Sequence, residues 1–419
     1  MLVIFLTVFI DLIGFGIVVP LVPIYGRHYG AGWIESGVIL AAFSAMQFVF
    51  SPIWGRLSDK YGRRPILLIS TAGAALSYVI FALGSGLADH RMALGVVLLS
   101  RLFAGACGGN ITVAQAYVAD ISKPEERSKR MGLIGMAFGL GFIFGPAIGG
   151  MSLKYGGMTA PGWAAAGLCA ANFVLALVIL AESWRPESTP SARRPRLAQW
   201  AHTLAQPKIG LLIMIFFLAT FVFSCFESTL AYLVNDDFNL GMVVDVAAPT
   251  STVVSLFVFC GLFSAMIQGG MIGRLVKRFG EPKLITASLV MTGVSLVLLP
   301  LITGNGPLRW LAVLTLKDWP WLGMLAVLIL LSFGSSLSRA PVFGMLSNLT
   351  PANEQGATIG VAQSAGSLAR IFGPIFATTL YGHLPLLPYE ICGGVSILVG
   401  LVVVGRLGLK PVSPAAKPE

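Results

Sequence analysis

Asp11, Arg101, Glu227, Arg339 and Arg370 are charged residues set inside long apolar runs. In a bilayer each such charge costs about 2.5–3.5 kcal/mol even on a lenient insertion scale, so each needs a partner or a use. A carboxylate in apolar surroundings can load and unload protons near neutral pH. Asp11 is followed by Gly14, Gly16, Pro20 and Pro23, which loosen its helix. It is a candidate for a proton or cation site, and equally for a structural hydrogen bond. Glu227, in TFVFSCFESTLAYLV, reads as a coupling carboxylate or as a solvated vestibule residue. The Arg101 guanidinium needs backbone carbonyls or a carboxylate. Arg370 precedes Gly373 and Pro374, where the carbonyls of a broken helix are expected to accept its donors. Arg339 is expected to snorkel toward the nearer membrane face. Either arginine alternatively meets an anionic substrate in a cavity. The four histidines (His28, His90, His202, His383) are scattered among loops, and no HExxH, GxSxG or nucleotide loop occurs. An enzyme and a metal site are therefore not expected.

The runs that must position these residues are membrane spans. The chain has 419 residues, 56% hydrophobic and only 11% charged, with a mean hydropathy of +0.84. Its opening, MLVIFLTVFIDLIGF, reads as a retained span without a cleavage site. All five cysteines fall in apolar runs without CxxC spacing, so neither disulfides nor metal ligands are expected. At about 20 apolar residues per span, helices are predicted near 2–25, 35–54, 66–87, 92–118, 128–153, 162–181, 209–234, 250–272, 284–304, 321–348, 357–382 and 388–409. The expected fold class is an all-α membrane protein of twelve spans. A six-helix half over 1–181 and another over 208–410 are separated by a polar linker, 182–207, with a short tail at 411–419. The linker is predicted to carry an interfacial helix around Leu197–Leu204.

The net charge of +10 does not call for nucleic acid, because the basic residues sit in short turns between spans. One set of connections holds 20 of the 28 Lys and Arg and the opposite set holds five. That bias places both termini and the linker in the cytoplasm. The densest of these connections, GRLSDKYGRRP at 55–65, returns as GRLVKRFGEPK at 273–283. FGPAIGG at 144–150 likewise returns as FGPIFAT at 372–378. A parallel repeat of six helices with a site between the halves is a transporter plan.

These segments resemble the major facilitator superfamily, within it the drug:proton antiporter branch that includes tetracycline exporters. The loop motif of that family matches Gly55, Leu57, Ser58, Asp59, Lys60, Gly62, Arg63, Arg64 and Pro65. Its first-helix signature resembles Asp11, Gly14, Gly16, Pro20 and Pro23, its fourth-helix arginine motif RLFAGACGG at 101–109, and its antiporter motif GFIFGPAIGG at 141–150. The resemblance implies two halves related by a pseudo-two-fold axis in an inner membrane. It implies a proton-coupled exporter of amphipathic small molecules working by alternating access, a monomer that uses the proton gradient and no cofactor. Gly55, Asp59, Gly62, Arg63 and Arg64, with Asp120 alongside, would form a cytoplasmic latch in the outward-facing state. Arg101 would be the proton-relay arginine, and Gly141, Gly145, Pro146 and Gly149 the antiporter bend. Ser77 and Thr292 stand where tetracycline exporters carry acids, which argues against tetracycline itself. Phe43, Met46, Gln47, Phe217, Phe221 and Phe226 are the cavity candidates. Organic anion transport and a non-transporting sensor are the alternatives. Ser122 and Glu125 are expected to form a capping box before the fifth span.

Overall fold

A computed structural model describes residues 1–18, 21–31, 33–184, 196–238, 251–302 and 319–407. Each of the twelve predicted spans is mostly helical over its described residues, the fourth with a break at Gly108–Gly109. The first comprises α1 (Leu2–Val18) and α2 (Val22–His28), and the next two are α3 (Trp33–Tyr61) and α4 (Arg63–Gly84). The fourth divides into α5 (His90–Cys107) and α6 (Asn110–Asp120), and α7 (Arg127–Gly156) and α8 (Ala160–Ile179) complete the first six. The short α9 (Arg196–Ala205) falls where a helix was expected in the linker. Then come α10 (Pro207–Phe238), α11 (Ser251–Met266) and α12 (Ile272–Phe279), joined by a π-helical turn at Ile267–Met271. The last four are α13 (Glu281–Ile302), α14 (Trp319–Leu349), α15 (Gln355–His383) and α16 (Leu387–Leu407). The tail at 411–419 lies outside the described residues, as do 185–195 of the linker. Among the described residues, nine helices are long and apolar enough to cross a membrane. Helix is what such sequences must form, because in hydrocarbon every backbone polar group has to be satisfied within its own segment. All five cysteines are free.

The stretch 55–65 is not the loop that its charges suggested. Helix α3 continues to Tyr61, and a single residue, Gly62 at φ 98°, turns the chain into α4. The α4 N-terminus is held from far along the chain: Glu182 accepts from the Arg63 N–H at 2.9 Å and the Arg64 N–H at 3.1 Å. A carboxylate is favoured there because the exposed N–H groups and the helix dipole both present positive charge. The expected capping box is also absent. The Ser122 hydroxyl donates back to the Val118 carbonyl instead, and Glu126 precedes α7 without a side-chain cap.

Helices α7, α14 and α15 pass through Pro146, Pro341 and Pro374 unbroken. The interruption comes instead at Gly108–Gly109, between α5 and α6. The carbonyls near it are satisfied by other helices: Trp54 Nε1 donates to Ala106 at 2.6 Å, Ser70 to Cys107, and Gln47 to Gly108 at 3.4 Å. Gly109 has no room for a side chain, because a Cβ there would run into the Trp54 indole.

Two seams join the first six spans to the last six. In one, α3 packs along α15; in the other, α7 packs against α11, α12 and α14. Both extend from mid-bundle to the end that carries the basic connections, hereafter the basic end.

Candidate functional site

Between the two seams lies a cavity of about 260 Å³, lined largely by apolar atoms. It takes residues from both halves. Asp11 and Phe15 come from α1, Phe43 and Gln47 from α3, Phe138 from α7, Glu227 from α10, Gln268 from the π turn, Arg339 from α14 and Arg370 from α15. Aromatic pairs build much of the wall, with Phe15 and Phe43 centroids 5.0 Å apart.

Asp11 and Glu227, both predicted from sequence, share this wall. Asp11 Oδ2 accepts a hydrogen bond from Asn110 Nδ2, the first residue of α6, while Oδ1 is buried without a partner. Glu227 has Arg370 as its charge neighbour. Arg370 does not reach toward Gly373 and Pro374. The α15 helix runs on through Pro374, and Arg370 Nη2 donates across to Gln47 Oε1 at 2.6 Å and to Ser367 Oγ at 3.1 Å.

Arg339 does not snorkel. Its guanidinium stacks 3.9 Å from the Phe138 ring centroid on the cavity wall. A guanidinium lies well on an aromatic face, and that contact holds the side chain inward. Arg101 is set behind the wall. It lies over Tyr78 at 5.4 Å and Phe81 at 5.2 Å, and Tyr78 itself faces the cavity.

Of the apolar candidates, Phe43 and Phe226 line the cavity beside Gln47, and Phe221 does not. Phe221 turns toward α15 and packs on Phe376 at 5.4 Å. Met46 and Phe217 are likewise off the wall. Ser77 is on it, whereas Thr292 is buried where Gly334 of α14 comes close.

At the basic end the residues of the 55–65 stretch close the first seam. Arg63 is fully buried and donates to Asp59 at 2.5 Å, Asp120 at 2.8 Å and Ser58 at 2.7 Å. Asp59 in turn accepts the N–H groups of Gly356 at 3.0 Å and Ala357 at 2.8 Å, the first turn of α15. The carboxylate thus serves as the N-terminal anion of a helix in the other half. Gly55 permits this approach, since a Cβ there would collide with the Gly356 carbonyl. Arg64 stays on its own half, donating to the Leu177 carbonyl at 2.8 Å. Further along the seam Gln363 donates to Gln115 at 2.8 Å and Ser364 to the Phe48 carbonyl at 2.6 Å.

The glycines of α7 divide between two partners. Gly141, Gly145 and Gly149 face α1, where a Cβ on Gly16 would come 2.6 Å from the Gly141 carbonyl. Gly132, Gly135 and Gly139 face the other half, against Gln268, Ala265 and Gly261. At the base of that seam Ser128 donates to Glu281, and Arg127 Nη1 donates to the Ser347 carbonyl at 2.8 Å. A two-half, all-helical bundle closed over a central cavity is the architecture that the repeats implied.

The family's sequence profile, described as Major Facilitator Superfamily, matches residues 4–319 and 271–419. The chain belongs to that superfamily. It is 31% identical over 382 residues to the tetracycline resistance protein, class C, of Escherichia coli, covering 90% of this chain and 88% of that one. It is 28% identical over 429 residues to major facilitator superfamily domain-containing protein 10 of Bos taurus, covering 90% and 86%. Among solved structures, the human organic anion transporter MFSD10 (TETRAN) superposes with a TM-score of 0.76 at 25% identity, over 96% of this chain and 98% of that one. This major facilitator chain is therefore a multi-pass membrane transporter.

Asn110, Tyr78, Gln268 and Glu281 were not singled out from sequence. The one available signal was polarity within an apolar run, and Asn110 and Gln268 both carry it. Gln268 lies in the π turn, a local geometry that is frequent at functional sites.

Proposed function

We propose that this major facilitator chain exports amphipathic small molecules in exchange for protons, by alternating access. The observation that carries this reading is that Asp11 of the first half and Glu227 of the second share one apolar cavity. The hydrogen bonds between halves named above lie at mid-bundle or toward the basic end. Proton and substrate then couple because each favours a different facing of the same chamber. The positive-inside bias supports a cytoplasmic basic end, termini and linker, and the proposed location is a cell inner membrane. The site lies within one chain, so a monomer suffices, and the proton gradient is the only energy source invoked.

A relative named for tetracycline resistance supports export, and the name of the solved human relative makes organic anions one class to test. Tetracycline itself is not the proposed cargo, because uncharged Ser77 and Thr292 stand where those exporters carry acids.

The test uses everted membrane vesicles energised acid-inside, with a dye reporting the pH gradient. Lipophilic cations, neutral drugs and organic anions are added in turn to the outer face. One class is expected to discharge the gradient in wild type and not in Glu227→Gln or Asp11→Asn. Accumulation of a class without any proton movement would overturn the antiport reading.

A further inference from the structure

Arg339 carries a charge that no group in the cavity answers. Its Nε and Nη2 are shut from solvent and have no hydrogen-bond acceptor. Its aromatic neighbours are Phe138 at 3.9 Å and Phe216 at 5.9 Å from the guanidinium carbon, and neither supplies countercharge. The charged group that acts on it is Arg370, another cation.

The other cation on the wall, Arg370, is accounted for, and Asp11, with Oδ1 unbonded, is an acid that can be carried neutral by its proton. Asp11 is held by Asn110. Arg370 is bonded to Gln47 and Ser367 and has Glu227 as its countercharge. Arg339 is thus the cation of this cavity with neither countercharge nor acceptor at its buried nitrogens, among the described residues. Buried polar groups almost always find partners, and a buried charge without one is destabilising. A guanidinium kept under those conditions, with part of its residue surface on a cavity wall, fits a group whose partner arrives with the ligand.

We propose that Arg339 is the seat for the carboxylate or sulfonate of an amphipathic organic anion, whose apolar body lies among the cavity phenylalanines. This rests on the transporter reading and names the substrate class of the same site. The planar guanidinium fork suits a flat two-oxygen group, to which an ammonium is a poorer match. Phe138 behind the guanidinium restricts where the head group sits. Phe15, Phe43 and Phe226 provide an apolar surface for a ring system.

The proposal has a signature that a structural arginine lacks. Replacing a residue that holds the bundle together lowers the unfolding temperature. Replacing an unanswered buried charge with a flexible apolar side chain raises it, while binding is lost.

The test uses purified protein in detergent with no gradient and four probes of one shape: 2-naphthoate, 2-naphthalenesulfonate, 2-naphthamide and 2-naphthylmethylammonium. Calorimetric titration of wild type is expected to rank both anions roughly 10- to 100-fold tighter than the amide, the range set by hydrogen bonds to a charged group. The ammonium is expected to bind weakest. Arg339→Met is expected to abolish the preference and raise the unfolding midpoint, while Arg339→Lys keeps a reduced preference for anions. Equal binding of all four probes by wild type overturns the proposal, whatever the variants do. So does an anion preference that survives in Arg339→Met. Intact anion selectivity with no vesicle transport sinks the transport reading alone, and transport of cations without anion binding sinks the seat alone.

Discussion

GRLSDKYGRRP and GRLVKRFGEPK occupy matching places in the two halves, 218 positions apart, and make the same turn with different chemistry. Gly62 at φ 98° and Gly280 at φ 79° each join two helices through one residue in the left-handed region, where a side chain is strained. Around the first glycine, Asp59 and Arg63 form a buried pair that extends to Asp120 and to the α15 N-terminus. Around the second, the matching residues are Lys277 and Glu281, which reverses the charges. Glu281 reaches the other half through Ser128 near the start of α7. Backbone geometry has thus been kept in both halves, and a buried charge network in one. The first seam is held by electrostatics in a site closed to water. The second is held by close glycine packing of α7 against α11 and α12, and by hydrogen bonds from Arg127.

From that contrast the largest effect follows for Arg63→Met. It leaves Asp59 and Asp120, 8% and 11% exposed, without their shared countercharge. Breaking a buried pair in this way costs about 3–5 kcal/mol, so the unfolding midpoint should fall steeply. A drop no larger than that of an exposed-site control would break the comparison.

Next in size is Gly55→Val, which forces side-chain atoms into the Gly356 backbone and costs about 1–3 kcal/mol by overpacking. Substrate-driven transport should fall with it, because α3 can no longer close on α15. Gly270→Ala, which meets open space, should leave the transport rate unchanged.

Glu281→Gln should be milder. The amide still hydrogen-bonds Ser128, so the loss is about 0.5–1.5 kcal/mol, read from urea titration of the purified protein. An effect as large as that of Arg63→Met would show that the second seam depends on charge after all.

Exchanging the second-half charges with Lys277→Asp and Glu281→Arg removes the acceptor for Ser128, so the expected stability loss is again about 0.5–1.5 kcal/mol. The informative readout there is turnover. Two seams locked by charge should slow transport relative to wild type, and unchanged turnover would mean that the first network does not limit opening.

Much of the fold was legible because its signals are one-dimensional. Span lengths, the repeat of Gly62 in Gly280, and the basic connections require only counting along the chain. The site was legible in part. Asp11 and Glu227 stood out because a carboxylate in an apolar run is costly wherever it points. Arg339 and Arg370 stood out in the same way, but their surroundings did not follow from type. One was expected to snorkel and instead stacks on Phe138; the other was expected at a broken helix and instead bridges to Gln47. Phe221 and Phe226 are five residues apart with similar neighbours, and only Phe226 faces the cavity.

The reason is that lipid and the protein interior are both apolar, so these helices show no polar face by which to read their rotation. Composition, order and charge bias determined that this chain is a twelve-span bundle with ionisable residues at membrane depth. Only the tertiary structure decided which of those residues meet. Asn110 reaches Asp11, Gln47 reaches Arg370, and the α15 N-terminus reaches Asp59, each across a separation that local sequence does not encode. Arg339 is the clearest case, since a missing partner becomes visible only when every neighbour has been placed.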